Sequence, residues 1–179
     1  MADETSINSV DKIPEYKCKI IEHLVNDKNV CQLILNRSIS DLDSDIQDEV
    51  KKYINQYWFI PYAQEDEHTY INFDLAGTAE GQGITNNKLA LGIYVFCHHR
   101  LMYCDFSDGI TPLEFKKGTR IDHLNIALQR IFNGSFDFGV GKMKLNKDNP
   151  KQVNAVYYGR ELGFSVSDIG NYSGAVDGM

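Results

Sequence analysis

The sequence has no apolar stretch long enough to cross a membrane as a helix. Runs such as Trp58–Pro61 and Ile93–Cys97 are only a few residues long, against the roughly 20 that a spanning helix requires, so no membrane span is expected. Positive charge is in deficit, with 18 Lys and Arg against 25 Asp and Glu, a formal charge of −7. A field of that sign repels polyanions and disfavours general nucleic-acid binding. The two short basic stretches, Lys116-Lys117 with Arg120 and Lys142, Lys144 and Lys147, lack interleaved aromatic residues on which bases stack, and read as solvated surface. The opening Met1-Ala2-Asp3-Glu4 carries neither the positive start nor the apolar core of a secretory signal, so export by that route is not expected. Cysteine is sparse, four in 179 residues. A chain of this length with 42% hydrophobic residues buries a core without cross-links. Cys18, Cys31, Cys97 and Cys104 are therefore expected as reduced thiols, with Cys18 and Cys97 buried inside apolar patterns.

What is present organises into one domain preceded by a polar arm at residues 1–13. Within the domain, residues 14–56 read as helical, 57–170 as a sheet with one helix, and 171–179 as a polar tail. Tyr16, Ile20 and Leu24, flanked by Ile21 and Val25, recur at helical spacing, and Val30, Leu33 and Ile34 follow the Asn26–Asn29 interruption. Ser44–Asp48 offers cap residues for a short helix through about Asn55. Tyr57–Tyr62 reads as an extended anchor, since Pro61 disfavours helix at Ile60. Thr69–Leu75 alternates as a half-buried strand. Gly77–Asn87 reads as a loop. Lys88–His98 is apolar on both faces and belongs at the centre of a sheet. A strand is expected over Leu101–Phe106, ended by the Ser107-Asp108-Gly109 turn. A helix then starts at Thr119, with Asp122 at its third position and Ile121, Leu124, Leu128, Ile131 and Phe132 as its apolar face. Met143 and Leu145 mark a strand, Asp148-Asn149-Pro150 a turn, and Val153–Tyr158 and Glu161–Asp168 two further strands. Helices, strands, helix, strands is the order of an α+β fold with a largely antiparallel sheet flanked by helices and a long glycine-containing hairpin loop.

Candidate chemistry is thin. Cys97, His98, His99 and Cys104 are the one metal-like cluster, but neighbouring strand residues point to opposite faces, so Cys97 and His99 converge while His98 does not, and no metal is expected. Gly77, Gly81 and Gly83 follow a strand as phosphate loops do, yet no Gly-Lys-Ser/Thr ending and no following helix are present, so no cofactor is expected either. Ser165 or Ser167 with His123 lacks a nucleophile elbow. No catalytic residue is assigned, and a small bacterial enzyme built around His98, His99, Asp105 and His123 stands as the rival class. An adaptor that binds another protein through the Gly77–Asn87 hairpin is the third. A hairpin loop of about ten residues exceeds what a turn requires and is suited to binding or assembly.

Several clusters carry a resemblance. They are Phe59-Ile60-Pro61-Tyr62 before Thr69-Tyr70-Ile71, Gly92-Ile93-Tyr94-Val95 with His98, Arg120-Ile121-Asp122 at a helix start, Phe138-Gly139-Val140-Gly141, and Tyr158-Gly159-Arg160 leading to a strand that ends at Asp168. Over residues 57–168 the chain resembles the neck and head-tail connector proteins of tailed bacteriophages, including tail-terminator-like ring subunits. The resemblance implies a non-enzymatic virion protein, made in the host bacterial cytoplasm, that forms a homo-oligomeric ring, sixfold or twelvefold, at the neck. Its implied partners are copies of itself, portal or connector proteins and tail tube or sheath proteins, with DNA passing through the lumen without sequence-specific binding. A head-completion adaptor bound to the portal is the alternative. In such a ring Arg120, Asp122 and Arg160 would make inter-subunit ion pairs, the alternative being ordinary helix capping and a surface arginine. Gly77, Gly81 and Gly83 would lie at subunit or partner contacts, and Trp58, Phe59 and Tyr62 would either anchor a neighbour or, as the aromatic cluster favours, plug their own domain.

Overall fold

The computed structural model describes residues 12–59, 67–79, 87–106, 109–138 and 141–166. Helix α1 (Ile13–Asn26) has Pro14 in its first turn, where a missing N–H is tolerated, and buries Tyr16, Ile20 and Leu24 at four-residue intervals. Cys18 lies about 200° round the helix from Tyr16 and is exposed, a correction to its expected burial; Cys97 is buried, and all four thiols are free. Asp27 closes α1 and opens α2 (Lys28–Leu35), its carboxylate accepting the Val30 N–H at 2.9 Å. Asn36 ends α2 in the left-handed conformation at φ 54°. Helix α3 (Ser44–Lys51), capped by Asp43, stops short of the expected Asn55 because Ile54 and Asn55 form a strand of their own.

That strand, β1 (Ile54–Asn55), joins β2 (Thr69–Ala79), β3 (Asn87–His98), β4 (Met143–Gln152) and β5 (Tyr157–Val166) in one sheet of order β1-β2-β3-β5-β4. Only the β1–β2 pair is parallel, so the chain has the α+β architecture that its element order predicts. β3 is central, as its two apolar faces require. On one face Ile71, Phe73, Leu75, Leu91, Ile93, Val95, Leu162 and Phe164 pack against α1, α2 and α4 (Arg120–Phe132) in the main core. Full burial contributes about 1.5–3 kcal/mol for each such side chain. On the other face Tyr70, Phe96 and Tyr157 form a smaller cluster with Tyr53, Phe59, Tyr94, Val153 and Val156 around them.

Four local expectations are revised. β2 and β3 stay paired out to Ala79 and Asn87, so Gly77 is a strand residue opposite Leu89 and the link is confined to residues 80–86. Leu101–Phe106 is not a strand: His99–Leu101 is a 3-10 turn, and Met102 O accepts the Arg120 N–H at 2.7 Å. Asp148-Asn149-Pro150 lies inside β4, where proline is tolerated because β4 is an edge strand. The expected strand Val153–Tyr158 begins only at Tyr157, because the chain reverses at residues 153–156, where Asn154 Oδ1 accepts the Val156 and Tyr157 N–H groups at 3.0 and 2.8 Å. β5 then passes so close to β3 that a Cβ on Gly159 would sit 1.9 Å from Val95 O. Only glycine permits that approach.

Candidate functional site

Arg120 opens α4 directly after a capping box in which Thr119 and Asp122 satisfy one another's backbone N–H groups. Its side chain is fully buried, among the largest that are. The guanidinium donates to Leu101 O and Leu33 O, both at 2.6 Å, and to Asn36 Oδ1, and lies 5.8 Å from the centre of the Phe106 ring. Leu33 and Asn36 are the C-terminal end of α2, where carbonyl dipoles favour a cation. Burial pulls the Arg120 pKa down. These Arg120 donors are engaged within its own chain.

Asp122 and Arg160 meet on the helical side of the sheet at 4.0 Å. The stronger partner of Arg160 is Asp148, 2.5 Å from its Nε. Asn125 and Gln129 of α4 donate to the other Asp148 oxygen at 3.1 and 3.2 Å. Burial raises the Asp148 pKa, but the hydrogen bonds from Arg160 and Asn125 outweigh it and the net shift is downward. The Thr119 bonds likewise hold Asp122 below its ordinary value. This network ties α4 to β4 and β5 within one chain. Asp148, read from sequence as a turn residue, is its hub.

The metal-like cluster does not assemble. Cys97 faces the helices and is touched by Thr69 Oγ1 at 3.5 Å. His99 leaves the strand and stacks on His98 at 4.5 Å instead of converging with Cys97. His98 turns to the opposite face against Tyr157 at 5.3 Å, and burial followed by the neighbouring His99 lowers its pKa. Burial raises the thiols of Cys97 and Cys104, and pushes Cys31 to about 12. No group of three ligating side chains occurs among the described residues. His123 packs against Phe115 at 5.2 Å and lines a separate cavity. Ser165 faces away from the helices, opposite Ala90 and Lys144, so the sheet separates it from α4.

Trp58 lies on the face of the sheet away from the helices, edge-on to Tyr94 at 4.7 Å and to Phe96 at 5.4 Å, with Lys151 Nζ 5.5 Å over its ring. It plugs its own domain, yet 45% of it remains exposed. Glu161 holds Lys147 at 2.7 Å beside it, which keeps the carboxyl below its usual range. Tyr62, Gly81 and Gly83 lie outside the described residues.

The two sheet edges differ. Along β4, Met143 exchanges hydrogen bonds with Gly134 and Ser135, Leu145 N–H is taken by Asn133 Oδ1, and the register shifts between Leu145 and Lys147. Pro150 then lacks an N–H, and Lys144, Lys147 and Lys151 flank it. Each of these blunts an edge. Along β2, Ile71 N–H reaches outward to Tyr53 O. Because outward groups recur every second residue, Phe73, Leu75, Gly77 and Ala79 face the same way. The Leu75 N–H is held by the neighbouring Asp74 side chain at 2.9 Å. Beyond Asn72 no strand covers this edge among the described residues. Among the described residues the pairs Thr78↔Lys88 and Ala79↔Asn87 lie beyond Leu89↔Val166, the last β3–β5 pair.

An α+β protein with a mostly antiparallel five-stranded sheet, whose β2 edge is uncovered by any strand beyond Asn72 among the described residues, is the class so defined. Residues 27–166, from the start of α2 to the end of β5, match the family model of YomW. The chain belongs to the YomW family, which is phage-associated. No curated protein matches it.

Proposed function

We propose that the chain is a virion structural protein of the phage head-tail junction, a tail-terminator subunit that closes with its own copies into a ring. The observation that carries this reading is the contrast between the β4 and β2 edges. An open edge accepts an extended segment by main-chain hydrogen bonding. A sealed opposite edge blocks unlimited edge-to-edge stacking, so in this reading the ring closes heterologously, each open edge taking an extended segment of the next copy. The β2–β3 hairpin extends the open edge beyond the body of the sheet and supplies the reach toward a neighbour. The net charge of −7 suits a lumen through which DNA slides without sticking. Membership of a phage-associated family supports the setting. The partners in this reading are the portal or connector on one side and tail tube or sheath protein on the other.

Negative-stain imaging of the purified protein tests the proposal. Rings with a central hole are expected. Single small particles, alone and with portal or tail-tube protein added, overturn it. A complex with portal protein at the portal's own stoichiometry reassigns the chain to head-completion adaptor.

A further inference from the structure

His98 ends β3 and caps the tight turn that follows it. It is buried, and its Nδ1 accepts the Arg100 N–H at 3.4 Å at the head of the 3-10 turn His99–Leu101. That geometry requires a bare Nδ1, so the proton of the neutral ring is on Nε2. The same turn leads to the Leu101 and Met102 carbonyls, which accept the Nε and the backbone N–H of Arg120 at 2.6 and 2.7 Å. One imidazole lone pair thus stands at the head of a short chain of bonds that runs from β3 to the start of α4. This chain of bonds is independent of the sheet edges.

The surroundings of His98 resist a second proton on its ring. His99 lies 4.5 Å away between ring centres, and Arg100 follows it. From β5, Tyr157 packs edge-on at 5.3 Å and brings no charge. The segment leading into β2 brings His68, whose carbonyl takes the His98 N–H at 3.2 Å and whose ring packs on Tyr53 and Tyr70. It also brings Glu67, a carboxylate that favours a cation on His98, but Arg100 already holds it at 2.5 Å. Burial first and His99 next keep the His98 pKa below its ordinary value. A proton on Nδ1 would set one N–H against another where the cap now stands. We propose that His98 is a proton-operated latch: the neutral ring closes the turn His99–Leu101 and holds the Leu101 and Met102 carbonyls on Arg120, and the imidazolium releases them. The closed turn has its full strength above the ordinary imidazole value, near 6.5, and loses it as pH falls through the lower folded value.

The test is hydrogen–deuterium exchange of the full chain, read by mass spectrometry at intervals between about pH 8 and about pH 5, the range in which imidazoles titrate, and corrected for the pH dependence of intrinsic exchange. Protection of residues 99–102 is expected to drop on the order of fivefold at the acid end, the worth of a lost cap, while the centres of β3 and β5 stay protected. His98→Asn keeps an oxygen for the Arg100 N–H, as in an Asx turn, and has no ring to titrate, so its protection is expected to stay level across the range. His99→Asn removes a positive neighbour, and the drop is expected to begin at higher pH. Protection of residues 99–102 that ignores pH, a drop that persists in His98→Asn, an onset unmoved in His99→Asn, or a loss spread evenly over β3 and β5 overturns the proposal.

Discussion

Replacing Arg120 with methionine keeps the length and much of the volume of the side chain and removes its guanidinium, which isolates the polar contacts. Three acceptors lose their donor together: Leu33 O, Leu101 O and the Asn36 amide oxygen. A buried acceptor left unsatisfied costs about 1–3 kcal/mol. Methionine also escapes the desolvation of a buried charge, and exchanging buried ions for apolar groups is in some proteins neutral or stabilising. Here, however, the guanidinium faces carbonyl and amide oxygens that stay in place after the exchange, the Leu33 contact fully buried and the other two partly. The balance is a loss of about 2–4 kcal/mol, or about 4–16 °C in Tm for a chain of this size. Urea unfolding followed by circular dichroism measures it. Arg120→Lys, which keeps a charge without the planar fork, is expected to fall between the two. Methionine within about 0.5 kcal/mol of the unaltered chain, the range of a surface substitution, refutes the clamp. Loss of oligomer at unchanged unfolding energy returns Arg120 to a subunit interface.

Gly159→Ala places a methyl where Val95 O stands at 1.9 Å and Phe96 Cδ1 at 2.7 Å. The β3–β5 ladder must spread, at a cost of about 1–3 kcal/mol or more, and an unchanged thermal melt contradicts the close approach. Asp122, Asp148 and Glu161 all have carboxyl pKa values below their ordinary range in the folded chain. Their contribution is therefore present above the unfolded value, near 4, and is lost as pH falls through the lowered folded values. Asp148→Asn is expected to flatten the dependence of Tm on pH below about 5, and a curve parallel to that of the unaltered chain counts against the network. Gly77→Pro removes an outward N–H from the open edge while sparing the ladder to β3. Sedimentation velocity should show weaker self-association with an unchanged circular dichroism spectrum, and full assembly in this variant excludes the edge as the contact.

The strands expected at Thr69–Leu75, Lys88–His98 and, as far as Val166, Glu161–Asp168 are legible because each has a buried face against the helices, and burial of one face imposes period two on the sequence. The start of α4 was legible because Thr119 and Asp122 satisfy a local hydrogen-bonding rule. Features set by distant chain were not. Arg120 looks like a surface charge until Leu33 and Asn36, 87 and 84 residues away, deliver acceptors to it. The run Leu101–Phe106 has the hydrophobicity of a strand, but the Leu101 and Met102 carbonyls are taken by Arg120, which holds the segment in a turn. Pro150 signals a break everywhere except on an edge strand, and edge position is a property of the finished sheet. The cavity at His123 draws its walls from three separate segments, so no spacing within any one of them announces it. Of the expected contact residues, Trp58 combines packing with exposure, while Asp122 and Arg160 are tied to each other and to Asp148.

Sedimentation equilibrium of the purified chain at micromolar concentration bears most directly on the central claim, that an open β2 edge opposite a sealed β4 edge builds a closed assembly. The account predicts one discrete species whose mass is an integral multiple of 20.3 kDa, unchanged as concentration rises further. A mass of 20.3 kDa at every concentration, with or without portal or tail-tube protein, contradicts it, and so does a continuous ladder of ever larger species.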